Sequence, residues 1–296
     1  MDEERLQFLF DEPIRAVETL DPGYSGHGSD VWRVKTAHQD VIVRCSRLRS
    51  EPTHEFWWGC QFLFGIDPRR TVYFTENVRM LNVVAAIPAP RVIARACSDG
   101  HEYLVVERMP GTMPKRFTGQ PAELLWQLGS WLAHVHSGRL PYFGNLARTQ
   151  MADPREFHPR VAQAIRIIAE REHSPRSKIR RHLDPMLQTL HSLPAPERCC
   201  PILVDLGADQ FLMDQGKLSA IVDVEAYVVG PRELDFIGLE YVLNPKAAGS
   251  FIRGYTEILD LPDLTRVRAV YRYLYRLLGV QGAVDLDRWL ARPPLF

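Results

Sequence analysis

Apolar positions alternate with polar ones, or cluster with β-branched residues, on either side of a glycine-rich stretch in GYSGHGSDVWRVKTAHQDVIVRCSR, residues 23–47, and predict a hairpin. The next segment, EPTHEFWWGCQFLFG, is dense in aromatics and has no clean period. A helical pattern follows in DPRRTVYFTENVRMLNVVAAIPAP and is ended by Pro88 and Pro90. RVIARACSDGHEYLVVERMPG then predicts two strands around a turn at Asp99-Gly100. Beyond residue 111 the spacing turns helical, first in AELLWQLGSWLAHVHSG, and the second half reads as α-rich. It is interrupted by ILVDLGADQFLMDQGKLSAIVDVE, residues 202–225, whose apolar runs and Asp214-Gln215-Gly216-Lys217 turn predict another hairpin. No repeat or glycine-serine linker divides the chain, so the two halves are expected to pack directly against one another.

Composition narrows the class without naming a function. The chain has 296 residues, 46% of them hydrophobic and 24% charged, which suits one large domain or two lobes. The formal net charge is zero, so no global field draws it to nucleic acid or to an anionic membrane. The start, MDEERLQFLFDEP, is acidic and unlike a signal peptide, and no apolar run is long enough to span a bilayer; a cytoplasmic location is expected. The five cysteines include no CxxC pair and are expected to be reduced and mostly packed, with metal binding or oxidation at Cys199 and Cys200 the alternative. The basic run RSKIRR, residues 176–181, reads as a solvated helix face, with phosphate binding as its alternative.

The acidic hairpin poses the chemical question. A carboxylate withdrawn from water is costly unless it is paired or holds a metal, and the turn folds Asp205, Gln210 and Asp223 toward one end. A metal-phosphate site would account for them. In the glycine-rich stretch, Gly23, Gly26 and Gly28 precede Ser29 and would let backbone N–H groups approach a phosphate. No Gly-Lys-Ser/Thr follows as in a Walker A loop, and a strand rather than a helix comes next, unlike the dinucleotide fingerprint. A plain surface hairpin is the alternative. Arg44, between apolar neighbours in DVIVRCS, needs an anionic partner, and Glu76 on the following helix could orient it, either toward nucleotide phosphates or as a structural ion pair. The exit strand YLVVERMPG, with Glu107 and Met109, could present backbone groups to an adenine edge.

Taken in order, these parts resemble the aminoglycoside phosphotransferase and choline kinase branch of the protein-kinase-like fold, over roughly residues 20–245. The carrying motifs are LVDLGADQ and IVDVE, supported by IPAPRVI, YLVVERMPG, WLAHVHSG and GPRELDF. The resemblance implies an α+β, two-lobed architecture, with a sheet-containing lobe at residues 1–108 and a helical lobe at 109–296. It implies ATP and Mg2+ as cofactors, a small-molecule hydroxyl as acceptor, and no nucleic-acid or membrane partner. By the same resemblance Asp205 is the catalytic carboxylate and Gln210 and Asp223 are the metal ligands. Gly26, Gly28, Ser29, Arg44, Glu76, Glu107 and Met109 line the nucleotide, and Asp235 is structural.

Four positions depart from the family pattern: Leu203 and Val204 stand for His-Gly, Arg44 for the commoner Lys, and Gln210 for Asn. Gln keeps an amide oxygen for a hard cation, and Arg keeps the charge and adds a fork. A fold relative that binds nucleotide or ligand without turnover is the alternative reading. VEAYVVGPRELDF leaves no room for a long activation segment, which favours a small acceptor over a protein. The acceptor itself is not legible: Arg272, Arg276 and Arg288 mingle with Asp260, Asp263, Asp285 and Asp287. Trp57 and Trp58 are expected near the cleft mouth, either as a lid or packed on the N-terminal sheet.

Overall fold

The computed structural model describes residues 2–20, 28–84 and 86–296. Its first part is one antiparallel sheet of β1 (Ala16–Thr19), β2 (Ser29–Lys35), β3 (Asp40–Ser46), β4 (Val92–Ser98) and β5 (His101–Glu107), in the order β1-β2-β3-β5-β4. Helix α1 (Asp2–Leu6) covers one face, and α2 (Glu55–Phe64) and α3 (Thr71–Val84) lie between β3 and β4. The turn expected between β4 and β5 is there: Asp99 and Gly100 have φ of 51° and 75°, the left-handed pair that matches the twist of a two-residue hairpin.

Alternation along β3 decides which residues can reach a site. Val41, Val43 and Cys45 join Leu6, Ile14, Trp32, Val34, Tyr103 and Val105 in a small core under α1. Successive side chains of a strand point to opposite faces, so Ile42 and Arg44 look the other way, and Arg44 lies over the Phe74 ring of α3.

The second part contains α4 (Ala122–Ser137), the short strands β6 (Phe143–Gly144) and β7 (Met151–Ala152), and helices α5 (Phe157–Glu172) and α6 (Lys178–Ser192). Strand β8 (Cys199–Leu203), the hairpin β9 (Phe211–Asp214) and β10 (Lys217–Ile221), and β11 (Tyr227–Pro231) follow. The chain closes with α7 (Glu233–Val242), α8 (Pro245–Thr256), α9 (Arg268–Leu278) and α10 (Leu286–Leu290). Helices α4 and α8 cross with almost no gap, since a Cβ on Gly129 would lie 2.0 Å from the Phe251 carbonyl oxygen and one on Gly254 would lie 2.0 Å from that of Trp126. One large core runs from α2 and α3 through α4, α5, α7 and α9, so apolar packing is continuous across residue 108.

Trp57 of the aromatic segment lies at the cleft, against Gly28 and in one cavity with Ser29, Arg44 and Glu225, while the expected packing of the segment on the N-terminal sheet is not what is found. The segment forms α2, capped by His54, whose ring accepts from the Phe56 N–H, and stopped at Gly65 with φ 70°. It docks on the second part rather than on the sheet. Gly59 sits so close to α9 that a Cβ would lie 2.1 Å from Leu278, Phe64 meets Phe157 of α5, and Arg171 lies over Trp58. A helix contacted on several sides needs apolar residues on several sides, which is why its period was illegible.

Cys45, Cys60, Cys199 and Cys200 are buried, Cys97 is exposed, and all five are free thiols. Burial pushes the Cys199 thiol up to about 12, which makes it a poor nucleophile and a poor ligand. In the basic run, Lys178 pairs with Asp285 at 2.8 Å and Asp287 at 2.9 Å, and Arg180 approaches Glu170 at 3.7 Å.

Candidate active site

The loop carrying Asp205 leaves β8 and is suspended from a buried polar chain. Asp235, at the start of α7, accepts from the Leu203 N–H at 3.0 and 3.1 Å, one for each carboxylate oxygen. His136 of α4 lies 3.0 Å from Asp235 through Nε2 and 3.0 Å from the Tyr255 hydroxyl through Nδ1, and Arg232 donates to that hydroxyl at 3.1 Å. The order is self-consistent: Arg232 donates to Tyr255, Tyr255 to Nδ1, and Nε2–H to Asp235. Burial lowers the His136 pKa, against the pull of Asp235, and keeps the ring in that neutral tautomer. The structural role expected of Asp235 is thus explicit, and the sequence reading missed His136 as its partner. The bracing of the loop at Leu203 comes from α4 through Asp235.

Within the loop, Gln210 works as a brace. Its Nε2 donates to the Asp205 carbonyl oxygen, and its Oε1 accepts from the Gly207 N–H at 3.2 Å. Both ends of the amide are engaged with the backbone, so in this structure Gln210 is turned into the loop rather than toward a metal. The extra methylene is what lets it reach across. The Gln210 carbonyl also receives the Val222 N–H at 2.8 Å, which ties the loop to the segment bearing Asp223.

The Asp205 carboxylate has no hydrogen bond or cation partner among the described residues. Burial, then the neighbouring Asp223 and Asp209 carboxylates, push it up to about 7. Asp209 is raised in the same direction, chiefly by burial. Asp223 keeps nearly half of its side chain exposed at 46%. Asp205, Asp209 and Asp223 thus lie near enough for their charges to act on one another.

Arg44 reaches toward Asp223 from β3, but its partner is not the one expected. Glu76 bonds Arg79 at 2.8 Å on its own helix and does not orient Arg44. Arg44 instead meets Glu225 at 2.7 Å and Asp223 at 3.1 Å, with a further bond to the Val222 carbonyl at 3.4 Å. Burial opposes its charge, and the two carboxylates more than restore it, so its pKa is raised. On α3 the residue facing the site is Asn77, one position on, because consecutive helical residues differ by about 100° in direction. The signal was present in Phe74, Val78 and Leu81, which mark the buried face that Asn77 shares. Glu225, in the turn that follows Asp223, was also missed.

The other described residues expected beside a nucleotide lie along β2, the end of β5 and the chain that follows it. Gly26 and Gly23 lie outside the described residues. Gly28 accepts from the Arg47 N–H at 2.9 Å and lies against Trp57, whose indole nitrogen would be 2.8 Å from a Cβ there. Ser29 donates to Glu225 at 3.0 Å. Glu107 ends β5, its N–H donating to Arg91 at 2.9 Å, and Met109 begins the connection to the second part. That connection rests on the hairpin: Thr112 pairs with Met213, and Ser219 donates to the Pro110 carbonyl at 3.3 Å.

Among the described residues, no group of three or more His, Cys, Asp or Glu forms a ready-made metal centre. A magnesium ion does not require one, since it commonly uses one or two carboxylates with phosphates and water. Arg44 engages Oδ1 of Asp223, Oδ2 has no hydrogen bond among the described residues, and the surrounding carboxylates leave negative charge for a cation to offset. The donor set fits magnesium through Asp223.

The chain matches the phosphotransferase enzyme family over residues 22–270 and belongs to it. No curated protein matches it. Among solved structures it is similar to the macrolide 2'-phosphotransferase MphH from Brachybacterium faecium, with TM-score 0.63 and 13% identity over 98% of both chains. It is also similar to APH(2")-IIia in complex with GDP and kanamycin, with TM-score 0.65 and 16% identity over 97% of this chain and 93% of the other. A third is the spectinomycin phosphotransferase APH(9)-Ia with ADP and spectinomycin, with TM-score 0.62 and 11% identity over 94% and 84%. The two-lobed kinase-like fold expected from the sequence is the fold these structures share.

Proposed function

We propose that the chain transfers the γ-phosphoryl group of ATP to a hydroxyl of a small molecule, between the sheet and the 205–225 segment. One observation carries the reading: Asp205 is a desolvated carboxylate without a cation partner, held on a braced loop beside Asp223. A carboxyl pushed up to about 7 is suited to accept a proton near neutral pH. The acceptor oxygen attacks the γ-phosphorus as its proton passes to Asp205, the bond to the β–γ bridging oxygen breaks, and ADP leaves. Asp223 would hold magnesium, which neutralises phosphate charge when bound. Gly28, Ser29 and Arg44 lie on the phosphate side, and the backbone at Glu107 and Met109 on the base side. Only a short stretch separates Asp223 from β11 at Tyr227 and α7 at Glu233, which supports a small acceptor, as do the kanamycin and spectinomycin in the similar structures.

Melting curves with ATP, with and without Mg2+, followed by ADP release across a panel of hydroxyl compounds, test the proposal. A magnesium-dependent shift and turnover with at least one alcohol are expected. No shift with any nucleotide would remove the cleft assignment. One observation favours a second reading, nucleotide binding without turnover: both ends of the Gln210 amide are occupied by the loop. ATP binding with no product from any acceptor would favour it.

A further inference from the structure

We propose that Glu225 is a positioning residue that holds Arg44 for the nucleotide and limits its hold on Asp223, the place of the metal, to the one oxygen Oδ1; the inference rests on the phosphotransferase reading above. Glu225 Oε1 takes both Nε and Nη2 of Arg44, at 3.1 and 2.7 Å, which fixes the fork of the guanidinium. The same carboxylate accepts the Ser29 hydroxyl, 3.0 Å from Oε1 and 3.2 Å from Oε2. Ser29 directly follows Gly28, so one side chain ties β2, β3 and the segment bearing Asp223 together.

Helix α3 offers no substitute. Glu76 is spent on Arg79, and Asn77 is spent on the backbone of the 224–227 segment. Without Glu225, Asp223, already at 3.1 Å, is the only carboxylate among the described residues left paired with Arg44. Arg44 has a side-chain exposure of only 13%, so its charge cannot simply be returned to water. It would settle on Asp223 and compete with magnesium for the same oxygens.

That competition gives a test that general destabilisation does not imitate. ATP binding is titrated with Mg2+ for the wild type, Glu225→Gln, Arg44→Met, the double variant and Glu76→Gln, with melting temperature as the check on folding. Glu225→Gln should need at least about fivefold more Mg2+ for half-saturation, the lower end of typical coupling between sites. Arg44→Met/Glu225→Gln should return to within about twofold of the wild type in Mg2+ while ATP stays weak, because the competing cation is gone. Glu76→Gln should be unchanged. Should Glu225→Gln not fold, Glu225→Asp, which keeps the charge but shortens the reach, must show an intermediate Mg2+ requirement. A wild type that binds ATP, with Glu225→Gln no different from Glu76→Gln or with no recovery in the double variant, overturns this inference alone. A wild type that binds no nucleotide overturns the phosphotransferase reading and this inference with it.

Discussion

Asn77 donates from one amide nitrogen to two carbonyls of the segment after Asp223, that of Val224 at 2.7 Å and that of Tyr227 at 3.2 Å. Helix α3 is therefore clamped to the 224–227 segment by a neutral side chain rather than by a glutamate. Because Asn77 is 1% exposed, Asn77→Leu takes the side-chain donor from two buried carbonyls and leaves that of Val224 only the long bond from the Tyr227 N–H at 3.5 Å. It should cost about 1–3 kcal/mol of stability. Glu76→Ala should cost at most about 0.5 kcal/mol, since it removes only a partly exposed pair. Urea unfolding of both variants checks the contrast, and equal losses would remove the special position of Asn77.

Asp205→Ala should lower phosphoryl transfer by roughly 10²- to 10⁴-fold, the usual contribution of a general base, with ATP affinity nearly unchanged. Steady-state kinetics beside equilibrium ATP binding separates the two. A matching loss of affinity would place Asp205 in nucleotide binding instead.

The same residue sets a pH dependence of stability in the metal-free protein. An unfolded aspartate titrates near pH 3.9, and in the folded chain Asp205 is pushed up to about 7 by burial, Asp223 and Asp209. Below about pH 4 both states hold the proton and the residue costs nothing. As pH rises toward about 7 the unfolded state loses its proton first, so stability falls, and above that the loss is complete. Asp205→Asn should thus stabilise by on the order of 2–4 kcal/mol at pH 8 and by almost nothing at pH 4. A gap between variant and wild type that does not change with pH would contradict the raised carboxyl.

Asp223→Asn removes the exposed carboxylate charge and should weaken ATP binding in Mg2+ by about tenfold or more, with a much smaller effect in chelator. Calorimetry under both conditions measures it. Equal losses would mean that Asp223 acts only through Arg44.

Gln210→Asn would restore the residue usual in the family, yet the shorter side chain cannot keep both of its loop bonds, to Asp205 and Gly207. A loss of about 1 kcal/mol in stability is expected for one forfeited bond. Turnover measured on the same variant shows whether the freed amide improves the metal site.

Short-range pattern was enough for the elements with strong local signals and for the acidic stretch around Asp205 and Asp223. Two left-handed hairpin turns, at Asp99-Gly100 and Gln215-Gly216, are dictated by residues that tolerate positive φ. The helical spacing of α4 and the order of Asp205, Gln210 and Asp223 along a hairpin were legible for the same reason: short-range pattern fixes them. What the sequence left open depended on rotation and distance. Whether Glu76 or Asn77 faces the cleft is a matter of one helical step, set by how Phe74, Val78 and Leu81 seat α3 on the core. The exchange of Glu76 for Glu225 as the partner of Arg44 joins residues 181 positions apart. Docking of α2 on α5 and α9, and the suspension of the Asp205 loop from His136 through Asp235, likewise join distant parts of the chain. Such pairings are chosen by the packing of the whole core, because a buried charge or amide takes whichever partner the closed structure brings within reach.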